Sequence, residues 1–238
     1  MKLHLILFLF LIFSQTVFAQ KHIIYIGDSH SLGNFGQTLT NYFRANKENT
    51  FEFYASGGSA PLQWTNGLFT SSCGYHDSSS FSAAPQRKCN EKFKTPKLEN
   101  LIHQSRDKNL VIIIALGTNF SKKIDDRKFN IKTSQDLIKH IPEKAQCLWI
   151  GPPHMKRFNP SQMDLDYSII EEAISLSPCE LIDSRFYSEY PYIYAQTSKP
   201  DGIHYDFPAA WYKFPEGELA AHKWGENIVN YLISRGFF

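Results

Sequence analysis

Residues 110–116 read Leu-Val-Ile-Ile-Ile-Ala-Leu, seven consecutive apolar side chains. Successive side chains of a strand point to opposite faces, so a run without alternation needs apolar cover on both sides. A central strand of a parallel sheet, sandwiched between helices, meets that need, and such sheets occur almost only in α/β proteins.

Similar but shorter runs recur along the chain. His22 to Ile26 and Phe51 to Ala55 precede the central run; Gln146 to Ile150, ended by Gly151-Pro152-Pro153, and Leu181 to Ile182 follow it. Between them the pattern turns helical. Residues 33–46 place Phe35, Leu39, Tyr42 and Phe43 on one broad face, and residues 97–107, 130–140 and 161–176 read as further helices. A last helix, 216–234, carries Leu219, Trp224, Ile228, Val229, Tyr231 and Leu232. The alternation predicts right-handed crossovers and an open, doubly wound α/β fold: a three-layer α/β/α sandwich with a flavodoxin-like parallel sheet of about five strands. With 238 residues, 42% hydrophobic and 20% charged, nothing forces a division, so residues 20–238 are expected to form a single domain. The net charge of +2 and the absence of any dense lysine or arginine run argue against a nucleic-acid partner.

The first residues belong to a different category. Met1-Lys2 supplies a positive charge, Leu5 to Phe13 is unbroken apolar sequence, and Val17-Phe18-Ala19 fits a cleavage site, so residues 1–19 are expected to be a signal peptide. Its apolar stretch is short for a membrane span, and no later segment is apolar and long enough for stable membrane insertion. Cysteine usage agrees with export to a periplasmic or extracellular setting. Cys73, Cys89, Cys147 and Cys179 are even in number and lack CxxC spacing, which predicts two disulfides. Three pairings are possible; Cys73 with Cys89 and Cys147 with Cys179 each close a local segment, the second tying a strand to the end of the following helix. The one glycosylation sequon, Asn119-Phe120-Ser121, includes a candidate site residue, which favours a bacterial source.

Four fragments fall at strand ends, where open α/β sheets bind ligands. They are Gly27-Asp28-Ser29, Gly57-Gly58, Gly117-Thr118-Asn119 and Asp201-Gly202-Ile203-His204. Ser29 supplies a nucleophile, His204 a base, and Asp201 a carboxylate to orient it. The backbone N–H groups of Ser29 and Gly58, with the Asn119 side chain, supply donors for an oxyanion. Gly57 competes with Gly58 for that role. Asp28 is expected to anchor the turn by hydrogen bonds. The set needs no metal and no cofactor.

These blocks resemble those of the SGNH hydrolases, the GDSL-type esterase superfamily, whose blocks contribute Ser, Gly, Asn and His. Gly27-Asp28-Ser29, Ser56-Gly57-Gly58-Ser59, Gly117-Thr118-Asn119 and Asp201 with His204 match in order, and Pro215 to Trp224 is similar to the family's ending. His30 stands where the family name has leucine, as in branches that include acyl-group enzymes on glycans. The resemblance implies a serine esterase working through an acyl-enzyme. Ser59 to Pro96 is a long connection expected to be a stapled insertion, with Trp64, Phe69, Tyr75 and Phe81 suited to stacking on sugars. With export, this points to an O-acetylated carbohydrate or cell-envelope polysaccharide as substrate. His154, Trp64 and Trp211 are candidate substrate contacts. A lipid esterase, lysophospholipase or thioesterase, and a glycan O-acyltransferase, would use the same serine centre.

Overall fold

The computed structural model describes residues 20–70, 74–76, 93–105, 109–121, 126–190, 201–206 and 215–237. A six-stranded sheet forms its centre. The strands are β1 (Lys21–Gly27), β2 (Thr50–Ser56), β3 (Tyr75–His76), β4 (Asn109–Ala115), β5 (Gln146–Ile150) and β6 (Cys179–Ile182), in the spatial order β3-β2-β1-β4-β5-β6. All neighbours run parallel except β3, an antiparallel edge strand on β2. The parallel strands therefore have the flavodoxin-like arrangement expected from the alternation. The two-residue edge strand is an addition that no local pattern announces.

The helices are α1 (Asn34–Ala45), α2 (Pro61–Asn66), α3 (Leu98–Gln104), α4 (Arg127–Ile138), α5 (Pro160–Ile174) and α6 (Pro215–Ser234). Helix α2 interrupts what the sequence presents as a long polar loop. Helix α5 starts one residue earlier than its periodicity suggests because Asn159 caps it: the Asn159 side chain accepts from the Gln162 N–H at 2.9 Å, and the Gln162 side chain accepts from the Asn159 N–H at 3.1 Å. Pro160 occupies the first turn, where its missing N–H costs nothing.

Side-chain parity on β4 explains the layers. Ile112 and Ile114 enter a core with Ile24, Ile26, Trp149, Leu101, Leu137 and Ile170, under α2 to α5. Val111, Ile113 and Ala115 enter the opposite core with Ile23, Tyr25, Phe35, Leu39, Trp224 and Ile228, under α1 and α6. Burying each such large apolar side chain is worth about 1.5–3 kcal/mol, so a sheet with both faces covered stabilises the fold from two cores at once. Leu219, on the last helix, is instead largely exposed.

The register aligns the strand ends. Gly27 pairs with Ala55 of β2 on one side and with Ala115 of β4 on the other, and Ala115 pairs with Ile150 of β5. Segments leaving β1, β2, β4 and β5 thus emerge on one rim. The chain's winding reverses between β1 and β4, which makes the rim there a natural ligand crevice. No described helix is long and apolar enough to cross a membrane.

A disulfide joins Cys147 to Cys179. The cysteines are register partners on β5 and β6, so the bond ties two adjacent strands; Cys179 opens β6 and does not lie at the end of a helix, as the sequence suggested. Cys73 and Cys89 lie outside the described residues, as do residues 1–19.

Candidate active site

Beyond β1 the chain turns at once. Asp28 donates its N–H to the Ala115 carbonyl at 3.2 Å, and its carboxylate accepts from the His30 N–H at 3.0 Å, capping the 3-10 turn Ser29–Leu32. Asp28 thus serves as the anchor expected of it. Burial pushes its carboxyl up to about 6, against the His30 N–H, the His204 charge and a Thr118 side-chain hydrogen bond. Gly27 is set by crowding: a Cβ there would lie 2.0 Å from Ser31 Oγ, which is hydrogen-bonded to the Tyr25 hydroxyl at 2.7 Å.

This turn presents Ser29 to a segment far along the chain. Ser29 Oγ lies 2.8 Å from His204 Nε2, across 175 positions of sequence. His204 Nδ1 lies 2.6 Å from Asp201 Oδ2. The other carboxylate oxygen, Oδ1, accepts from the N–H groups of Ile203 and His204, each at 2.8 Å. Burial pushes the Asp201 carboxyl up, but the His204 ring and the two backbone donors outweigh it and hold the group at about 2. A carboxylate ionised at neutral pH takes a proton-bearing Nδ1 as its partner, which leaves Nε2 to accept from the serine hydroxyl.

The His204 segment is itself pinned. Gly202 adopts φ +79°, donates to the Tyr190 hydroxyl at 3.2 Å and accepts from the Arg157 N–H at 2.8 Å. The Tyr205 hydroxyl donates to the His154 carbonyl at 2.8 Å.

The three candidate donors, at Ser29, Gly58 and Asn119, lie on the segments that follow β1, β2 and β4. Ser59 ties their loops together: its hydroxyl donates to the Gly27 carbonyl at 3.2 Å, and its own carbonyl accepts from Asn119 Nδ2 at 3.0 Å. An amide nitrogen carries two hydrogens, so Asn119 keeps a second donor. Gly57 spends its N–H on the Gly74 carbonyl at 3.1 Å, whereas the N–H groups of Gly58 and Ser29 make no hydrogen bond to protein among the described residues. Gly58 has φ +72°, a left-handed conformation that side chains disfavour. At Gly117, φ is +141° and a Cβ would lie 2.9 Å from Pro152, so glycine lets this loop pass the one after β5.

No family model and no curated protein matches the sequence. Solved structures do. TesA aligns over 89% of this chain and 97% of its own, at 12% identity and a TM-score of 0.52. A protein from Streptococcus pneumonia described as a platelet activating factor aligns over 92% and 86%, at 10% identity and a TM-score of 0.50.

The chain has the SGNH hydrolase fold.

Within this SGNH fold the candidate substrate contacts have different fates. His154 is half-buried on the loop after β5 and lines a cavity of about 350 Å³ with Met155, Lys156, Phe158, Met163 and Arg185. None of Ser29, His204 or Asp201 lines it, but it adjoins their loop through the Arg157–Gly202 hydrogen bond. Trp64 is fully buried in the core under α2 to α5, so it offers no stacking surface. Its short helix turns it inward, which a polar neighbourhood in sequence does not reveal. Tyr75 stacks on Phe93 with ring centroids 4.2 Å apart, and Phe69 is exposed. Trp211 and Phe81 lie outside the described residues.

Two further buried residues, His30 and Asp206, lie beside the Ser29–His204 pair. His30 is buried with its ring centroid 5.4 Å from that of His204 and 5.7 Å from that of Trp224. Burial first, and the nearby His204 charge second, push it down to about 3 against the pull of Asp201. Asp206, two positions after His204, is also buried, and its Oδ2 accepts from the Asn34 N–H at 2.7 Å. Among the described residues no group of three His, Cys, Asp or Glu side chains is arranged to hold a metal.

Proposed function

We propose that the chain is an exported serine esterase that removes ester-linked acyl groups, O-acetyl foremost, from a carbohydrate or cell-envelope polysaccharide. The observation that carries this reading is the continuous line from Ser29 Oγ through the His204 ring to Asp201, at 2.8 and 2.6 Å.

The chemistry follows from the roles. His204 Nε2 takes the hydroxyl proton as Ser29 Oγ bonds to the ester carbonyl carbon. The carbonyl oxygen, now an anion, is held by the N–H groups of Ser29 and Gly58 and by the Asn119 amide. Gly58 is favoured over Gly57 because its N–H is uncommitted. The bond to the leaving alcohol then breaks, and the proton on Nε2 passes to that oxygen. Water, deprotonated by His204, attacks the acyl-enzyme, and the acid leaves as Ser29 recovers its proton. Asp201 holds the ring's tautomer and stabilises the imidazolium throughout.

Export is supported by the character of residues 1–19 and by the Cys147–Cys179 bond, which persists best in an oxidising compartment. Residues 20–238 then constitute the working domain. A sugar substrate is supported by the cavity beside the His204 loop, where His154, Lys156 and Arg185 share the lining with Met155, Phe158 and Met163. Such a mixture suits a hydroxyl-rich ligand with apolar faces better than an acyl chain.

The test is purified chain 20–238 assayed with short and long acyl esters and with acetylated glycans, alongside Ser29→Ala. Acetate release from one glycan class, absent in the variant, is expected. Equal product from both proteins would refute the enzymatic reading. Activity rising with acyl length would transfer it to lipids, and transfer exceeding hydrolysis would make the chain an acyltransferase.

A further inference from the structure

Helix α1 begins directly behind the nucleophile's turn and lacks a cap of its own. Gly33 occupies the cap position with no side chain to accept from the helix N–H groups. The acceptor arrives from elsewhere: Asp206 Oδ2 takes the Asn34 N–H at 2.7 Å, across 172 positions of sequence. Gly33 has φ −100°, which any residue adopts, so its backbone does not require glycine. The room does. A Cβ on Gly33 would lie 2.3 Å from Asp206 Oδ1, so the carboxylate fills the space where a side chain would stand. Its place at a helix N-terminus also sets a negative charge against the positive end of the helix dipole.

The consequence concerns alignment. Asp206 follows His204 by two residues, and Gly33 follows Ser29 by four. The direct Ser29–His204 hydrogen bond cannot hold these segments together through a catalytic cycle, because its proton moves and its oxygen becomes acylated. The Asp206–Asn34 bond uses a backbone N–H that no step consumes. Residues 204 to 206 are anchored in three directions: His204 to Ser29, Tyr205 to His154, and Asp206 to α1.

We propose that Asp206 is a positioning residue, a clasp between the Ser29 and His204 segments that preserves their approach while the bond between them is broken. This rests on the esterase reading for its catalytic consequence but not for its structural one.

The experiment compares wild type, Asp206→Ala, Asp206→Asn and Gly33→Ala. Asp206→Asn retains an acceptor oxygen, and Gly33→Ala displaces the carboxylate without altering it. With a short acetyl ester, and at temperatures where circular dichroism shows each protein folded, Asp206→Ala and Gly33→Ala are expected to lose about 10- to 100-fold in kcat with little change in KM, as for a small misplacement of reacting groups. Asp206→Asn is expected to recover most of that loss. A kcat within twofold of wild type in folded Asp206→Ala, or a loss confined to KM, overturns the proposal.

Hydrogen exchange of residues 29–36 and 201–206 supplies a readout free of the chemistry. Both segments should exchange faster together in Asp206→Ala and in Gly33→Ala. If only one segment responds, the clasp is wrong, whatever the activity. If wild type neither hydrolyses esters nor reacts with a fluorophosphonate at Ser29, the esterase reading fails, and the exchange result still decides the clasp.

Discussion

The rings of His30 and His204 lie 5.4 Å apart, yet only His204 has a carboxylate partner. His30 Nε2 is buried with no hydrogen-bond partner among the described residues. Burial and the neighbouring His204 charge hold it neutral, down to about 3. Its ring packs against those of His204, Tyr205 and Trp224.

Acid sensitivity follows with a definite sign. The unfolded chain protonates this histidine near 6.5, the folded chain only near 3. Between those values the unfolded state binds the extra proton, so stability from neutral His30 is complete above about 6.5 and falls as pH drops toward 3. Urea midpoints from pH 7.5 to 4.5 should decline more steeply in wild type than in His30→Gln. Parallel curves would show that His30 titrates freely in the fold.

Asn119 should separate rate from stability. Removing one oxyanion donor costs about 10²–10³-fold in kcat. The lost bond from Asn119 Nδ2 to the Ser59 carbonyl should cost only about 1 kcal/mol of stability. Kinetics and thermal unfolding of Asn119→Ala measure both. A normal kcat would remove Asn119 from the oxyanion site.

Gly27→Ala is expected to destabilise through crowding. The added methyl meets Ser31 Oγ at 2.0 Å, and Ser31 is held by Tyr25, so something must move at a cost of about 1–3 kcal/mol. Thermal unfolding should report that loss. The double variant with Ser31→Gly should regain part of it, and no recovery would place the strain elsewhere.

The Cys147–Cys179 bond closes a separation of 32 residues. Chain entropy assigns such a loop about 3–4 kcal/mol. The paired Ala variant should unfold at correspondingly lower denaturant while keeping its activity, because the bond lies in the strands and not at the rim. Unchanged stability would mean that the pairing of β5 with β6 already restricts the unfolded chain.

Much of the candidate site was legible as residues because its fragments are local in sequence. Gly27-Asp28-Ser29 and Asp201 to His204 each bring their residues within one turn, and the loops after β1, β2 and β4 follow apolar runs that announce themselves. Trp64 shows where reading by neighbourhood fails: polar residues surround it in sequence, yet α2 turns it into the core. Asp206 had no signal, because a carboxylate acting on a helix start 172 positions away leaves no period or spacing. The edge strand β3 escaped for the same reason, two residues being too short to show alternation.

By itself the sequence determined the α/β alternation, the buried β4 run and the candidate residue types at the strand ends, since side-chain periodicity and turn chemistry act over a few positions. Tertiary structure alone decided that Ser29 meets His204, which glycine N–H remains uncommitted, and that a buried carboxylate caps α1. Those outcomes depend on strand register and close packing, which bring together atoms that the chain separates by most of its length.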